Sequence, residues 1–305
     1  MVLLSTFKTN QKIILKQKEY MFKSWTIIKT TGVLFLLGGI GLIFLHFYPH
    51  NWYFNKIISE VYANFSAEFI SIAITILLIN YLYDSKEKQN LKKRLIRDLG
   101  SEERSTCSNA LLELKENGWL TDGTLKNAKL SNANLMNLDL SGADLEGVNL
   151  DNAELSNAIL KNVNLKNARL CKTILSNANL SNSNLTDAIL QGAQLYETKL
   201  NQINIENADF VNANLRLTQM SECVFNNCKF EYVDFELSNL SSSKFTSCNM
   251  SRANFQSSNI KDASFVRCDI NSIVNWKGLE NRNSDSFLGS VNPPDDFINF
   301  NNTAK

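Results

Sequence analysis

Every fifth residue from 125 to 270 is Leu, Ile, Met or Phe, thirty positions in a row without a slip of register. Three residues after many of them comes a small residue, as at Ala128, Ala133, Ala143, Ala153, Ala158, Ala178, Ala208 and Ala213. An α-helix turns every 3.6 residues and a strand alternates every two, so neither keeps a five-residue repeat on one face. A chain that turns a corner every five residues does. The period therefore limits the fold before composition or any single motif is considered.

Written as a unit, the repeat is Ala-(Asn/Asp)-Leu-X-X, as in Ala133-Asn134-Leu135-Met136-Asn137 and Ala143-Asp144-Leu145-Glu146-Gly147. This pattern resembles the pentapeptide-repeat family. The resemblance implies an all-β, right-handed, quadrilateral β-solenoid with four pentapeptides per coil. The large residue and the residue two before it would point inward, the other three outward. The residue types agree, because a square coil has little interior room and one of the two inward positions must stay small. Where Leu gives way to Phe the partner is still small: Cys223 before Phe225, Cys228 before Phe230, Ser243 before Phe245. Positions twenty apart would stack, giving ladders Phe225–Phe245–Phe265 and Phe235–Phe255. Asn closes many units (Asn127, Asn132, Asn137, Asn152, Asn157, Asn162, Asn167), as a corner with left-handed backbone requires. Thirty units would make roughly seven and a half coils, or roughly 36 Å of rod at about 4.8 Å per strand spacing.

Both ends of such a rod need caps. Residues 102–117 read as a helix with Ala110, Leu111 and Leu114 on one side, stopped by Gly118, with Trp119 and Leu120 at the mouth of the coil. Val274, Trp276 and Leu279 are candidates for a lid at the far end, and the tail after Pro293 and Pro294 reads as loose.

The first hundred residues differ in kind. Residues 30–48 and 61–83 form two apolar runs, each about as long as the ~20 residues that cross a bilayer core. Lys8, Lys12, Lys16, Lys18, Lys23 and Lys29 precede the first, and Lys86, Lys88, Lys92, Lys93, Arg94, Arg97 and Arg104 follow the second. The loop between them holds only Lys56, with Trp52 and Tyr53 as interfacial anchors. The positive-inside rule then puts both ends and the solenoid in the cytoplasm, on a two-span hairpin in the inner membrane. In a reducing compartment the six cysteines need no disulfide reading. The expected organisation is a basic segment at 1–29, a hairpin at 30–83, a linker and capping helices at 84–118, the solenoid at 119–275, and a cap and tail at 276–305. Residues 68–75, 95–101 and 118–123 add a resemblance to bacterial membrane-tethered pentapeptide-repeat proteins, which implies topology and brings no catalytic residues.

Asn64, Glu68, Ser71 and Thr75 lie on one stripe of the second span. Ionisable groups inside a membrane usually face protein or water. The stripe reads as a helix-packing seam, with Ala67 and Ser71 approaching Gly38-Gly39-Ile40-Gly41, or alternatively as part of a transport or channel element. Lys92, Lys93, Arg94 and Arg97 read as an anchor drawn to anionic lipid.

The sequence is poor in chemistry. Its only histidines are His46 and His50, which removes Ser-His and Cys-His pairs and His-containing metal sites from the solenoid. Cys223, Cys228, Cys248 and Cys268 occupy the small inward slot and read as core filler rather than as metal ligands. There is no Gly-rich phosphate loop. Catalytic residues, a metal and a cofactor are therefore not expected. Some soluble members of the family mimic DNA and bind type II topoisomerases. Between Gly118 and Asn275, however, sixteen Asp/Glu face thirteen Lys/Arg, a net of −3 that is thin for a duplex mimic. Nucleic acid is not expected as a partner.

Binding remains. Met136, Ile174, Tyr196, Leu217 and Leu237 fall on one side of the rod, with Val211 and Tyr232 on the adjoining one. A contiguous apolar patch marks an interaction surface. The sequence thus points to a membrane-anchored scaffold or adaptor that meets a protein partner, or its own copy, through a solenoid face.

Overall fold

A computed structural model describes residues 29–42, 55–270 and 272–274. The basic lead to residue 28, the loop with Trp52 and Tyr53, and the lid candidates Trp276 and Leu279 lie outside the described residues. The chain divides into two units, Met1–Leu91 and Lys92–Lys305.

The first unit holds α1 (Lys29–Leu42) and most of α2 (Asn55–Leu99). Helix α2 runs unbroken for 45 residues, so the expected boundary between span and linker at residue 83 is not a break in the backbone. It is the one helix among the described residues long and apolar enough to cross a membrane; the described part of α1 is shorter. The seam between the two helices differs from the expected one. On α2 the buried residues are Ser66, Ala73 and Asn80, seven residues apart, and on α1 they are Gly32 and Gly39. A Cβ on Gly39 would lie 2.7 Å from Ile70 Cγ1, and one on Gly32 3.3 Å from Ile76 and Leu77. Phe35 stacks on Phe69 at 5.4 Å beside them. Gly38 and Gly41 meet nothing, and Ala67 and Ser71 are exposed. The small residues that permit close approach are thus Gly32, Gly39, Ser66 and Ala73.

The second unit begins with the last turns of α2, where Leu95 and Leu99 are buried. Helix α3 (Arg104–Glu116) follows and buries Cys107, Ala110, Leu111 and Leu114. It ends in a Schellman motif: Gly118 adopts φ +70°, Trp119 N bonds Leu114 O at 2.9 Å, and Gly118 N bonds Lys115 O at 3.0 Å. The cap also supplies backbone. In the first coil, Asn134 N bonds Ser101 O at 2.9 Å and Asp144 N bonds Leu120 O at 3.0 Å. These are the edge amides that in later coils bond the coil before, so the cap closes the open strand edge as well as covering the core.

From residue 125 on, both inward positions of each unit are buried and the other three are half-buried or exposed. Every bridge joins residues twenty apart, from Lys129↔Asn149 to Asn254↔Val274. Most corners are type II turns, with an amide bonding the carbonyl three residues back (Ala158 N to Leu155 O, 3.0 Å) and φ near +60° at the residue before it. Asn127, Asn132, Asn137, Asn152, Asn157, Asn162 and Asn167 all hold that conformation, as expected. Regular strand, by contrast, is confined to one side. There β1 (Asn204–Glu206), β2 (Val224–Asn226), β3 (Lys244–Thr246) and β4 (Ser264–Val266) form a parallel sheet in that order. Elsewhere each side of a coil pairs with the next through a single bridge, because five residues leave little straight chain between corners.

The aromatic ladders form as the spacing requires. Phe225, Phe245 and Phe265 stack at 4.8 and 4.9 Å, and Phe235 stacks on Phe255 at 4.9 Å. Phe210 and Phe230 add a third stack at 5.0 Å. Some polar residues in the small slot bond the coil before: Thr173 Oγ1 donates to Leu150 O and Thr198 Oγ1 to Leu175 O, both at 2.8 Å. Val274 does not act as a lid; it continues the ladder onto Asn254 and is 45% exposed.

Candidate partner-binding face

The left-handed corners build this surface. Such a conformation costs most L-residues about 1–2 kcal/mol, and Asn and Gly adopt it most readily. Up to residue 192 the corner is Asn or Gly almost throughout, with Lys172 and Asp187 as exceptions. Past it the types change, and Leu217 (φ 57°), Tyr232 (φ 59°), Leu237 (φ 59°) and Arg252 (φ 60°) take the slot. The ladder pins them there, with Leu217 N bonded to Glu236 O and Leu237 N to Gln256 O. Tyr232 and Leu237 are 52% and 45% exposed. These residues combine two unfavourable features, apolar exposure and a strained backbone, at a slot where Asn would relieve both. Strain of this kind gathers where a side chain is needed for contact.

The corners of Tyr232 and Leu237 bound one side of the rod, and its outward groups are paired among themselves. Arg216 Nη1 lies 2.7 Å from Glu236 Oε2 and 3.8 Å from Asp234 Oδ2. Asn254 Nδ2 donates to Asp234 Oδ1 at 2.9 Å. Arg252 Nη1 donates to Tyr232 Oη at 2.7 Å, with its guanidinium 5.3 Å from the ring centroid. The result is a neutralised ionic strip with apolar edges.

The remaining residues expected on this surface are less prominent. Ile174 is exposed on the same side, three coils earlier than Asp234, with Gln194 and Asn214 between. Met136, Tyr196, Val211 and Leu217 are half-buried. Leu217 and Leu237 therefore do not form an equally exposed pair. Glu197, the neighbour of Tyr196, accepts from its phenol and holds it above the usual tyrosine range. Ile159, 42% exposed on the next side, was missed although it fills an outward slot used mostly by polar residues. Arg252 was missed because a charge at a corner gives no signal by itself.

The basic cluster is not a uniform lipid anchor. Lys92 Nζ turns to the solenoid mouth, 2.8 Å from Asp122 Oδ2, 2.6 Å from Thr124 Oγ1 and 4.9 Å from the Trp119 ring centroid. Arg94 Nη2 is 3.9 Å from Glu113 Oε1, and Arg97 bonds Asp98 at 3.4 Å. Lys93, Arg94 and Arg97 are exposed. The helix continues through the cluster, so packing of Leu95 and Leu99 sets where each basic residue points. Asn64, Glu68, Ser71 and Thr75 do share one face of α2, and all four are exposed.

The cysteines face the carbonyls of the coil before: Cys228, Cys248 and Cys268 Sγ lie 3.7, 3.5 and 3.5 Å from the oxygens of Ile205, Phe225 and Phe245. Burial pushes the Cys223 thiol up to about 11. The hydrogen bond with Cys228 puts Cys248 at about 12. Among the described residues no His/Cys/Asp/Glu group could hold a metal ion. Several solenoid carboxylates are matched by bases, as in Lys126 with Asp144 and Glu146 and Arg169 with Asp151.

Two family models account for the solenoid: "Pentapeptide repeats (8 copies)" matches residues 124–162, 139–177 and 164–202, and "Pentapeptide repeat region" matches 198–274. No curated protein is significantly similar in sequence. Among solved structures, HetL, a pentapeptide-repeat protein involved in heterocyst differentiation regulation from the cyanobacterium Nostoc sp. strain PCC 7120, is 23% identical, with 60% of this chain and 78% of HetL covered and a TM-score of 0.32. QnrB1, a plasmid-mediated fluoroquinolone resistance protein, is 19% identical, with coverage of 52% and 84% and a TM-score of 0.33. Rfr23 from the cyanobacterium Cyanothece 51142 is 23% identical, with coverage of 42% and 90% and a TM-score of 0.28.

Proposed function

We propose, for a chain whose residues 124–274 form a pentapeptide-repeat solenoid, that it is a membrane-anchored scaffold presenting this rod to a protein partner in the cytoplasm. Pentapeptide-repeat proteins are generally binding or structural proteins, and the matching family models indicate no catalytic family. The partner docks on the side bounded by Tyr232 and Leu237. The observation that carries this reading is the placement of Leu217, Tyr232 and Leu237 in left-handed corners that Asn would fill at lower cost. The charge asymmetry about the apolar runs and the length of α2 support the anchor and its orientation.

A photo-crosslinking residue at Gln256, next to Leu237 on this side, should capture a partner in intact cells. Leu217→Glu with Leu237→Glu should abolish the capture while leaving the melting temperature within about 2 °C, since two charges would enter a desolvated contact. Undiminished capture by the double variant would remove this side as the binding surface.

A further inference from the structure

We propose that the chain self-associates through α2, with a second copy covering the face that carries Asn64, Glu68, Ser71 and Thr75; this rests on the membrane reading above. Each of the two helices has one seam already used. Ser66, Ala73 and Asn80 of α2 are buried, and Gly39 and Gly32 of α1 approach the same helix at Ser66 and Ile70 and at Ile76 and Leu77. At 100° per residue the polar stripe lies about 140–180° around α2 from that seam, so α1 cannot satisfy it. Hydrocarbon cannot satisfy it either, and Glu68 in particular needs a polar neighbour.

The spacing identifies the neighbour. Asn64, Glu68, Ser71, Thr75, Leu78 and Leu82 follow one another at intervals of four, three, four, three and four residues. That is the a/d alternation that keeps one line of side chains in contact along a pair of supercoiled helices. All six are exposed. The lipid-facing residues Ile72 and Ile74 flank the line and are apolar, so the polar groups follow the line and not the helix surface at large. The line is also self-complementary. It contains donors in the Asn64 amide and the Ser71 hydroxyl, and acceptors in Glu68. Copies inserted with the same topology can only pair in parallel, which brings Asn64 of one copy within a helical turn of Glu68 of the other. Thr75 Oγ1 already donates to Ser71 O at 2.8 Å, leaving its lone pairs to face across the seam.

The test uses the full chain in native membranes. Single cysteines replace Ser71, Thr75 or Leu78 on the line, or Ile72 or Ile74 beside it, and each is treated with a short thiol crosslinker; the wild-type chain gives the background. Carbonate washing beforehand establishes whether the chain is embedded. We expect an embedded chain and at least fivefold more crosslinked homodimer from the three positions on the line than from the two beside it. Asn64→Leu with Glu68→Leu should bring the Thr75→Cys dimer down to the flanking level. Release by carbonate overturns the membrane reading and this inference with it. Retention with a flat crosslinking profile, or crosslinks from the line to a different protein, overturns this inference alone.

Discussion

Lys92 and Asp122 join the end of α2 to the mouth of the solenoid, with Nζ 2.8 Å from Oδ2 and the ammonium 4.9 Å from the Trp119 ring centroid. Burial pulls the Asp122 carboxyl upward, but hydrogen bonds from Lys92 and Thr124 outweigh it and hold the group at about 2. A depressed carboxylate contributes its stability above its unfolded value near 3.9 and loses it as pH falls toward the folded value. The contribution of this pair should therefore be complete above about pH 4–5 and gone near pH 2. Lys92→Ala should cost about 1 kcal/mol or less at pH 7, because both side chains are partly solvated. It should also flatten the acid limb of the melting curve between pH 4 and 2. Parallel acid limbs for variant and wild type would show that the pair carries no such linkage.

Corner strain makes a reciprocal prediction. Asn157 and Leu237 occupy the same slot four coils apart, with φ 57° and 59°. Leu237→Asn should raise stability by about 1 kcal/mol, or ~2–4 °C in melting temperature, while Asn157→Leu should lower it by a similar amount. The first variant should also weaken partner capture, so stability and binding would move in opposite directions. A loss of stability in Leu237→Asn would mean the leucine is held by packing and not tolerated for contact.

Phe245 lies between Phe225 and Phe265, with ring planes 9° and 3° from parallel. Phe245→Ala should cost about 3–5 kcal/mol, since the coils above and below share a backbone ladder that resists collapse into the void. Phe245→Leu should cost about 1 kcal/mol, as Leu fills the equivalent slot in earlier coils. Denaturant titration of both variants checks the ratio, and equal costs would contradict a stacked aromatic core.

Thiol reactivity separates filler from functional cysteine. Cys107, Cys223, Cys228, Cys248 and Cys268 are buried, whereas Cys171 is half-buried. Burial and the charge of Asp151 raise Cys171 above the ordinary thiol, so even this residue should react slowly. At pH 8 iodoacetamide should modify Cys171 at least tenfold faster than the other five, with all six reacting after denaturation, as mass spectrometry would record. Prompt modification of Cys248 in the folded chain would require the ladder to open.

How much of this was legible depended on whether one residue's position fixed the outcome. The five-residue register alone placed Leu125 through Ile270 inside, and twenty-residue stacking alone placed Phe245 on Phe225. The corner asparagines were legible because few other residues hold φ near +60° at low cost. What escaped depended on two elements meeting. The face of α2 that packs against α1 meets Gly39 of the expected cluster together with Gly32 outside it, and the seam lies at Ser66 and Ala73, away from Ser71. Lys92 looked like its basic neighbours until Leu95 and Leu99 fixed the rotation of the helix end and turned it to Asp122. Exposure at Met136, Tyr196 and Leu217 was overestimated because an outward slot is still shaded by the coils beside it.

Because every described bridge in the rod joins residues twenty apart, the solenoid is an indexed shaft. Removing twenty residues from its middle would shorten it by one coil and leave every downstream side facing as before. Removing five would keep each Leu and Phe inside, yet advance everything beyond the cut by about a quarter turn. Tyr232 and Leu237 would then face a direction now held by their neighbours, on a rod that still melts as a folded one. Length and heading can thus be varied separately by changing nothing but the number of repeats.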